Sequence, residues 1–190
     1  AYELCERDGI DTRSVYLWVD YFSVPQANRS TQRQAIDSIP QYAANVTYFL
    51  ACAPATVHKD SQKAVGGATY LRRGWCRLEC WAYMSTHGLE RMFNFAEKMQ
   101  LEKITASQKE WYESALDVFH ADFTVDSDKL LLVDVVMGLY ALARITNEEA
   151  VVTTAKNKRS TLFPPEYFHN LISILDAELE DIDAIDEPTT

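Results

Sequence analysis

The chain has 190 residues, which is enough for one domain with a full core or for one domain with an appended helical layer. Its 47% hydrophobic and 24% charged residues are typical of globular proteins and argue against the fibrous and disordered classes. The formal net charge of −10 argues against a general nucleic-acid binder, which needs a basic surface, and no apolar run reaches the roughly 18 residues of a membrane-spanning helix.

The start of the chain predicts a helix followed by a strand. Residues 2–8 are typical of the end of a helix, which Gly9 closes in the left-handed conformation. The apolar run 15–20 is too short for a helix and is rich in β-branched and aromatic residues. It therefore predicts a buried parallel strand that presents Asp20 at its carboxyl edge.

A helix and a second strand are predicted next. Ser30 or Thr31 can cap a helix that runs to residue 44, with a kink or a restart at Pro40. The apolar run 46–52 predicts a strand. Strand, helix and strand in this order predict a right-handed crossover unit.

The segment 70–81 predicts a central helix. Before it, residues 53–69 predict a polar loop that lies over a site at the strand ends. The glycine pair in this loop is not followed by the Lys-Ser or Lys-Thr of a phosphate-binding loop, so we reject that motif. Residues 89–95 predict a third strand.

The second half of the chain predicts a helical layer. Helices are expected over residues 107–119, 128–144 and 164–179, followed by an acidic tail. The predicted organisation is thus an α/β core over residues 1–100, lacking a first strand, and a helical extension over residues 101–190 that packs on the core.

Trp75 and Glu79 are the main site candidates. They are four residues apart, about 40° around the helix axis, so they share one face. An indole beside a carboxylate offers a stacking surface and an anionic anchor for a ribose-bearing ligand. The structural alternative is that Trp75 belongs to the core and Glu79 pairs with Arg72 or Arg73.

Asp20 is the second candidate, because open α/β sheets bind ligands at the carboxyl edge, and Tyr21, Ser23 and Gln26 follow it. The structural alternative is that Asp20 accepts backbone N–H bonds from its own loop. Ser23 lacks the Gly-x-Ser-x-Gly setting of a nucleophile, so we give that role little weight.

The cysteines and histidines do not predict a metal site. Four cysteines do not form a disulfide framework, and the four histidines have no metal-binding spacing. We interpret the cysteines as reduced thiols of an intracellular protein, cytoplasmic rather than organellar, that is soluble and does not insert into a membrane.

Five segments in order carry a resemblance to a known family. They are the strand ending in Trp-Val-Asp at Asp20, the Ser-Val-Pro-Gln loop, the helix containing Gln-Ala-Ile-Asp-Ser-Ile-Pro, the apolar strand, and Arg-Arg-Gly-Trp-Cys-Arg-Leu-Glu ending at Glu79. Together they resemble the middle of a TIR domain. Residues 20–26 are also similar to the Asp-x-x-Cys-Ile-x-Gln segment of heterokaryon-incompatibility (HET) domains, with Ser23 at the cysteine position.

The resemblance implies a flavodoxin-like fold, a parallel sheet flanked by helices, that serves self-association and signalling. In TIR members that hydrolyse NAD, a Trp-x-x-x-Glu pair supplies an aromatic and the catalytic glutamate, and these positions fall on Trp75 and Glu79. A carboxylate that holds the ribose can stabilise the oxocarbenium character of nicotinamide–ribose cleavage. The predicted ligand-binding residues are Asp20, Tyr21, Ser23, Gln26, Arg73 and Trp75, with no cofactor and with NAD as a substrate.

Three functions are open at this point. The first is a TIR/HET-like interaction domain that acts in assembly or signalling and binds a nucleotide. The second is an NAD glycohydrolase that uses Glu79. The third is a structural subunit of a larger complex, suggested by the missing first strand upstream of Ala1. The expected partners are proteins, including copies of the chain, and not nucleic acid.

Overall fold

The structure, a computed structural model, describes residues 1–25, 27–96, 98 and 100–186, and the side chains of 21, 29, 32, 33 and 181–186 lie outside the description. Contacts within the chain divide it into two units, Ala1–Ile39 and a second that begins at Pro40. The helices are α1 Tyr2–Asp8, α2 Asp20–Ser23, α3 Arg29–Asp37, α4 Ile39–Asn45, α5 Gly67–Tyr70, α6 Gly74–His87, α7 Lys109–Leu116, α8 Asp128–Leu131, α9 Val133–Ile145, α10 Glu149–Asn157, α11 Arg159–Leu162, α12 Pro165–Phe168 and α13 Leu171–Asp186, with a 3₁₀ turn at Thr12–Ser14. The strands are β1 Phe49–Cys52, β2 Thr56–Val57, β3 Ala64–Val65, β4 Met92–Phe95 and β5 Leu101–Lys103.

The helix predicted at the start of the chain is confirmed. α1 ends at Gly9, whose φ of 63° is the left-handed conformation that glycine adopts without a steric penalty. Of the two alternatives predicted at Pro40, the structure has a restart, since α3 ends at Asp37 and α4 begins at Ile39, one residue before the proline. The predicted cap is wrong: Asn28 Oδ1 accepts the N–H groups of Ser30 and Thr31, and so caps α3 two or three residues earlier than expected.

The strand predicted over residues 15–20 is wrong. Val15 and Val19 have extended backbones, but residues 15–19 belong to no strand, and Asp20 begins α2. An apolar, β-branched sequence favours an extended backbone, whereas a strand also requires a neighbour that accepts and donates backbone hydrogen bonds. The crossover unit predicted from this strand is therefore wrong as well.

The second unit contains a three-stranded mixed sheet in the order β1-β4-β5. β1 and β4 are parallel with Phe49 opposite Met92, and β4 and β5 are antiparallel. The strands predicted at 46–52 and 89–95 are confirmed in shorter form, as β1 and β4. β5 was not predicted, and its antiparallel pairing makes the sheet mixed where an all-parallel sheet was expected. The loop predicted over residues 53–69 holds the small antiparallel pair β2-β3 and α5.

Helix α6 connects β1 to β4 and supplies the centre of the core in this unit. It buries Leu78, Cys80 and Trp81 completely, and it packs against α7 and α9. The predicted central helix is confirmed in position, but it begins at Gly74. Tyr70 ends the separate helix α5, which Thr69 caps by accepting the Gly66 N–H on its hydroxyl at 2.9 Å.

The helical half of the chain is more divided than expected. The helix predicted over 128–144 is the pair α8 and α9, which meet at Leu132, and the helix predicted over 164–179 is broken at His169, whose φ is 47°. α10 and α11 were not predicted. The second unit is thus a small mixed sheet flanked by helices, an arrangement compatible with a flavodoxin-like fold. The flavodoxin-like assignment and the division at residue 100 stay predictions.

Candidate functional site

The start of α6 is fixed by a close approach between two segments. Asp122 N–H donates to Arg72 C=O at 2.7 Å, and Gly74 N–H donates to Asp122 C=O at 2.9 Å. The ring of Phe123 then covers Gly74 so closely that a Cβ at this position would lie 1.9 Å from Phe123 Cζ. A glycine is therefore required where the helix begins, which explains the Arg-Gly-Trp sequence at this point.

Trp75 and Glu79 lie on one face of α6 and are both half-buried. The Trp75 ring meets the edge of Phe123 at a centroid distance of 6.2 Å and packs against the core. The shared face predicted from the spacing is thus present. One flank of the indole serves core packing, which agrees with the structural alternative for Trp75.

Glu79 lies beside a contact between the half-buried Tyr70 and the buried Cys80. Tyr70 Oη is 3.9 Å from Cys80 Sγ. Burial raises the pKa of both groups well above their ordinary values, and the negative charge of Glu79 raises them further. Both groups are therefore neutral at physiological pH, as hydrogen-bonding groups next to the carboxylate.

Two of the three arginines at the start of α6, Arg72 and Arg77, have defined partners. Arg72 pairs with Asp122 at 3.0 Å, and Arg73 is exposed at the N-cap of α6. Arg77 donates from Nε to Leu71 C=O and from Nη1 to Asp117 C=O, and its Nη1 lies 3.8 Å from the Asp117 carboxylate. Burial lowers the pKa of Arg77. These bonds connect α6 to the segment after α7.

The remaining sequence-predicted residues lie in the unit Ala1–Ile39. Asp20 begins α2, and Ser23 Oγ accepts the Val19 N–H at 3.2 Å, which closes the helical turn. Gln26 and the Tyr21 side chain lie outside the described residues. The structure therefore brings Arg73, Trp75 and Glu79 together at one helix, while the convergence of Asp20, Tyr21, Ser23 and Gln26 on them stays a prediction.

Sequence reasoning missed an acidic cleft along α7. A cavity of about 340 Å³ is lined by Glu110, Glu113, Asp117 and Lys158, among others. Lys158 pairs with Glu113 at 2.6 Å, and this hydrogen bond is the main cause of the lowered pKa of Glu113. The spacing of three and four residues between the carboxylates was the available signal, but it is also that of an ordinary solvated helix face.

A second missed cluster centres on Asp176. Tyr140 Oη donates to Asp176 Oδ1 at 2.7 Å, Arg144 lies 3.3 Å from the same oxygen, and Arg159 donates to Oδ2 at 2.7 Å. Arg159 also donates to Ser173 Oγ at 2.9 Å. This network joins α9, α11 and α13, and its groups are far apart in sequence.

A second cavity, of about 400 Å³, lies near Arg144, Asn147 and Thr153. Neither cavity includes Trp75 or Glu79.

No helix in the described ranges is both long and apolar enough to cross a bilayer. No group of three His, Cys, Asp or Glu side chains in those ranges has the arrangement of a metal site. Comparison of the chain with protein-family models, with curated proteins and with solved structures finds no match in any of the three.

Proposed function

We propose that the chain is a TIR-like or HET-like interaction domain that acts in assembly or signalling by binding other copies of itself. The observation that carries this proposal is the exposure of large apolar side chains in the unit Ala1–Ile39. Tyr16 is 95% exposed, Phe22 85% and Leu17 72%. These three residues lie within seven consecutive positions of the chain. Several exposed large apolar side chains in one short segment are typical of protein-binding sites, since association removes them from water.

The second unit supports the same proposal more generally. Its small mixed sheet flanked by helices, with the parallel strands β1 and β4 joined through α6, is compatible with the architecture that the resemblance implies. The Arg-Gly-Trp start of α6 has a structural role in it, because Gly74 admits Phe123 and Trp75 packs on the same ring.

Sedimentation velocity at rising protein concentration tests the proposal. We expect the wild type to self-associate and the double variant Tyr16→Ser/Phe22→Ser to raise the dissociation constant at least about tenfold, or about 1.4 kcal/mol, because two apolar anchors are lost. Ile145→Ser is the matched control, since Ile145 is 69% exposed in α9. A wild type that remains monomeric, or an equal effect of the control, contradicts the proposal.

A second candidate function is cleavage of NAD, in which Trp75 and Glu79 would contact the substrate. The observation in its favour is that both side chains are half-buried on one face of α6, beside the neutral hydroxyl of Tyr70. A carboxylate in this position could hold the ribose as positive charge develops at the anomeric carbon.

Release of nicotinamide from NAD, measured at concentrations at which the protein is associated, tests this candidate. We expect Glu79→Gln to lower the rate about 10²-fold or more, because the amide lacks the charge that stabilises the transition state. Glu90→Gln, at an exposed position, is the control and should leave the rate unchanged. Background rates in the wild type and in Glu79→Gln alike would eliminate the enzymatic function and leave the assembly proposal intact.

A further inference from the structure

The outer edge of β1 is an open sheet edge. Within the described ranges the sheet has the order β1-β4-β5, so β1 has a strand on one side alone. Phe49 N–H donates to Arg91 C=O at 3.1 Å and Ala53 N–H donates to Phe95 C=O at 2.9 Å, both toward β4. Backbone groups alternate in direction along a strand, so the N–H groups of Leu50 and Cys52 point to the opposite side. Such an edge is a template for one more strand.

The same chain carries a strand-like segment that belongs to no sheet. Residues 15–19 are extended at both ends, with φ and ψ of −94° and 129° at Val15 and of −132° and 120° at Val19. Tyr16 and Leu17 are exposed, and no backbone hydrogen bond links either of them to another residue in the described part of the chain. Their side chains are those that favour strands.

We propose that residues 15–19 of one copy add to the β1 edge of a second copy as its fourth strand. This inference rests on the proposed function and assigns the surface that self-association uses. The segment is similar in length to the four residues of β1. The N–H groups of Val15 and Val19 already donate to Thr12 C=O and Ser23 Oγ, so the hydrogen bonds to β1 fall on the residues between them. Because each copy carries both a segment and an edge, two copies can exchange segments reciprocally and form a closed, symmetric pair. Backbone hydrogen bonds hold such an added strand, and Tyr16 and Leu17, which alternate between its two faces, each extend one face of the sheet.

Two substitutions disable the two halves of this interface separately. Leu50→Pro removes the outward N–H of β1, and a proline is tolerated at an edge position whose N–H does not bind the neighbouring strand. Leu17→Lys places a charge in the added strand, which opposes its pairing. Because Leu17 is exposed, this variant should fold even if Leu50→Pro does not. Leu130→Lys is the matched control, since Leu130 is 65% exposed in α8.

Sedimentation velocity of the separate and mixed variants is the main test. It needs added salt, because the net charge of −10 makes the copies repel each other. Leu50→Pro and Leu17→Lys should each raise the dissociation constant at least tenfold, and Leu130→Lys should leave it unchanged. An equimolar mixture of Leu50→Pro and Leu17→Lys should recover part of the association, because the intact segment of the first variant pairs with the intact edge of the second.

Amide hydrogen exchange supplies a site-specific readout on the wild type. We expect the N–H groups of Leu50 and Cys52 to gain protection as the protein concentration rises. Full protection of both groups in a monomer overturns the inference, because the edge is then filled within one copy. Association that neither Leu50→Pro nor Leu17→Lys weakens also overturns it, while the proposed function stands. A wild type that does not associate at any concentration overturns both.

Discussion

Tyr140 shows how one buried hydroxyl couples the fold to pH. Its side chain is 1% exposed, and its Oη donates to Asp176. Burial, followed by the hydrogen bond to this carboxylate, raises the pKa of Tyr140 from 10.0 to about 12. The proton thus binds more tightly in the folded chain than in the unfolded one. The resulting stability is complete below pH 10 and is lost as the pH rises through about 12.

We expect Tyr140→Phe to be less stable than the wild type near neutral pH by about 1–3 kcal/mol, because Asp176 loses a hydrogen-bond donor. Between pH 10 and 12 this difference should narrow, because the variant has no hydroxyl to ionise at this position. Denaturant unfolding at a series of pH values measures both effects.

Tyr2→Phe, at a side chain that is 75% exposed, should follow the wild type throughout. A stability difference between Tyr140→Phe and the wild type that stays constant from neutral pH to pH 12 would contradict the coupling.

At the scale of the element, α6 depends on a contact that its own sequence does not reveal. Its interior positions Leu78, Cys80 and Trp81 are fully buried, and a helix with such a sequence could be predicted. The first residue of the helix could not be predicted in the same way. Gly74 is required there because the ring of Phe123, far along the chain, occupies the space that a Cβ would need. The sequence therefore predicted a helix that began too early, at residue 70.

We expect Gly74→Ala to destabilise the protein by about 1–3 kcal/mol, because the added methyl displaces the Phe123 ring and disturbs its contact with Trp75. In the background of Phe123→Ala the same substitution should be neutral or stabilising, since alanine favours the helix by about 1 kcal/mol over glycine. Denaturant unfolding of the four proteins completes a double-mutant cycle. An equal cost of Gly74→Ala in both backgrounds would assign the glycine to another cause.

The segment 15–19 is the clearest case in which local sequence and structure differ. Tyr16 and Leu17 have the composition of a buried strand, but the structure leaves both residues exposed, between the extended backbones of Val15 and Val19. Composition predicts an extended backbone, because the backbone conformation depends on local sterics. Pairing into a sheet depends on a neighbouring strand, which composition does not identify. Ser23 shows the same limit: its hydroxyl accepts the Val19 N–H and closes a helical turn that begins at Asp20, where the sequence predicted the end of a strand and the start of a loop.

For the whole molecule, the sequence predicted the layers better than their connections. The strands at 46–52 and 89–95 and the central helix were predicted because each has a clear apolar pattern. β5, α10 and α11 are short and mixed in polarity, so they were not predicted.

In the candidate site, the shared face of Trp75 and Glu79 follows from helix geometry, whereas the Tyr70–Cys80 contact beside Glu79 depends on the end of α5. The function as an interaction domain, as an NAD glycohydrolase or as a structural subunit stays a prediction.

The Asp176 network has a consequence for how the sequence can change over evolution. A single carboxylate accepts from Tyr140 and pairs with Arg144 and Arg159, so these four positions are not independent. Loss of Asp176 alone leaves the two positively charged guanidinium groups near each other without the carboxylate that neutralises them. Replacing all the charged side chains of the network together by apolar ones of similar volume avoids that penalty. Among descendants of a common ancestor, substitutions at these sites should therefore occur together, as a correlated set.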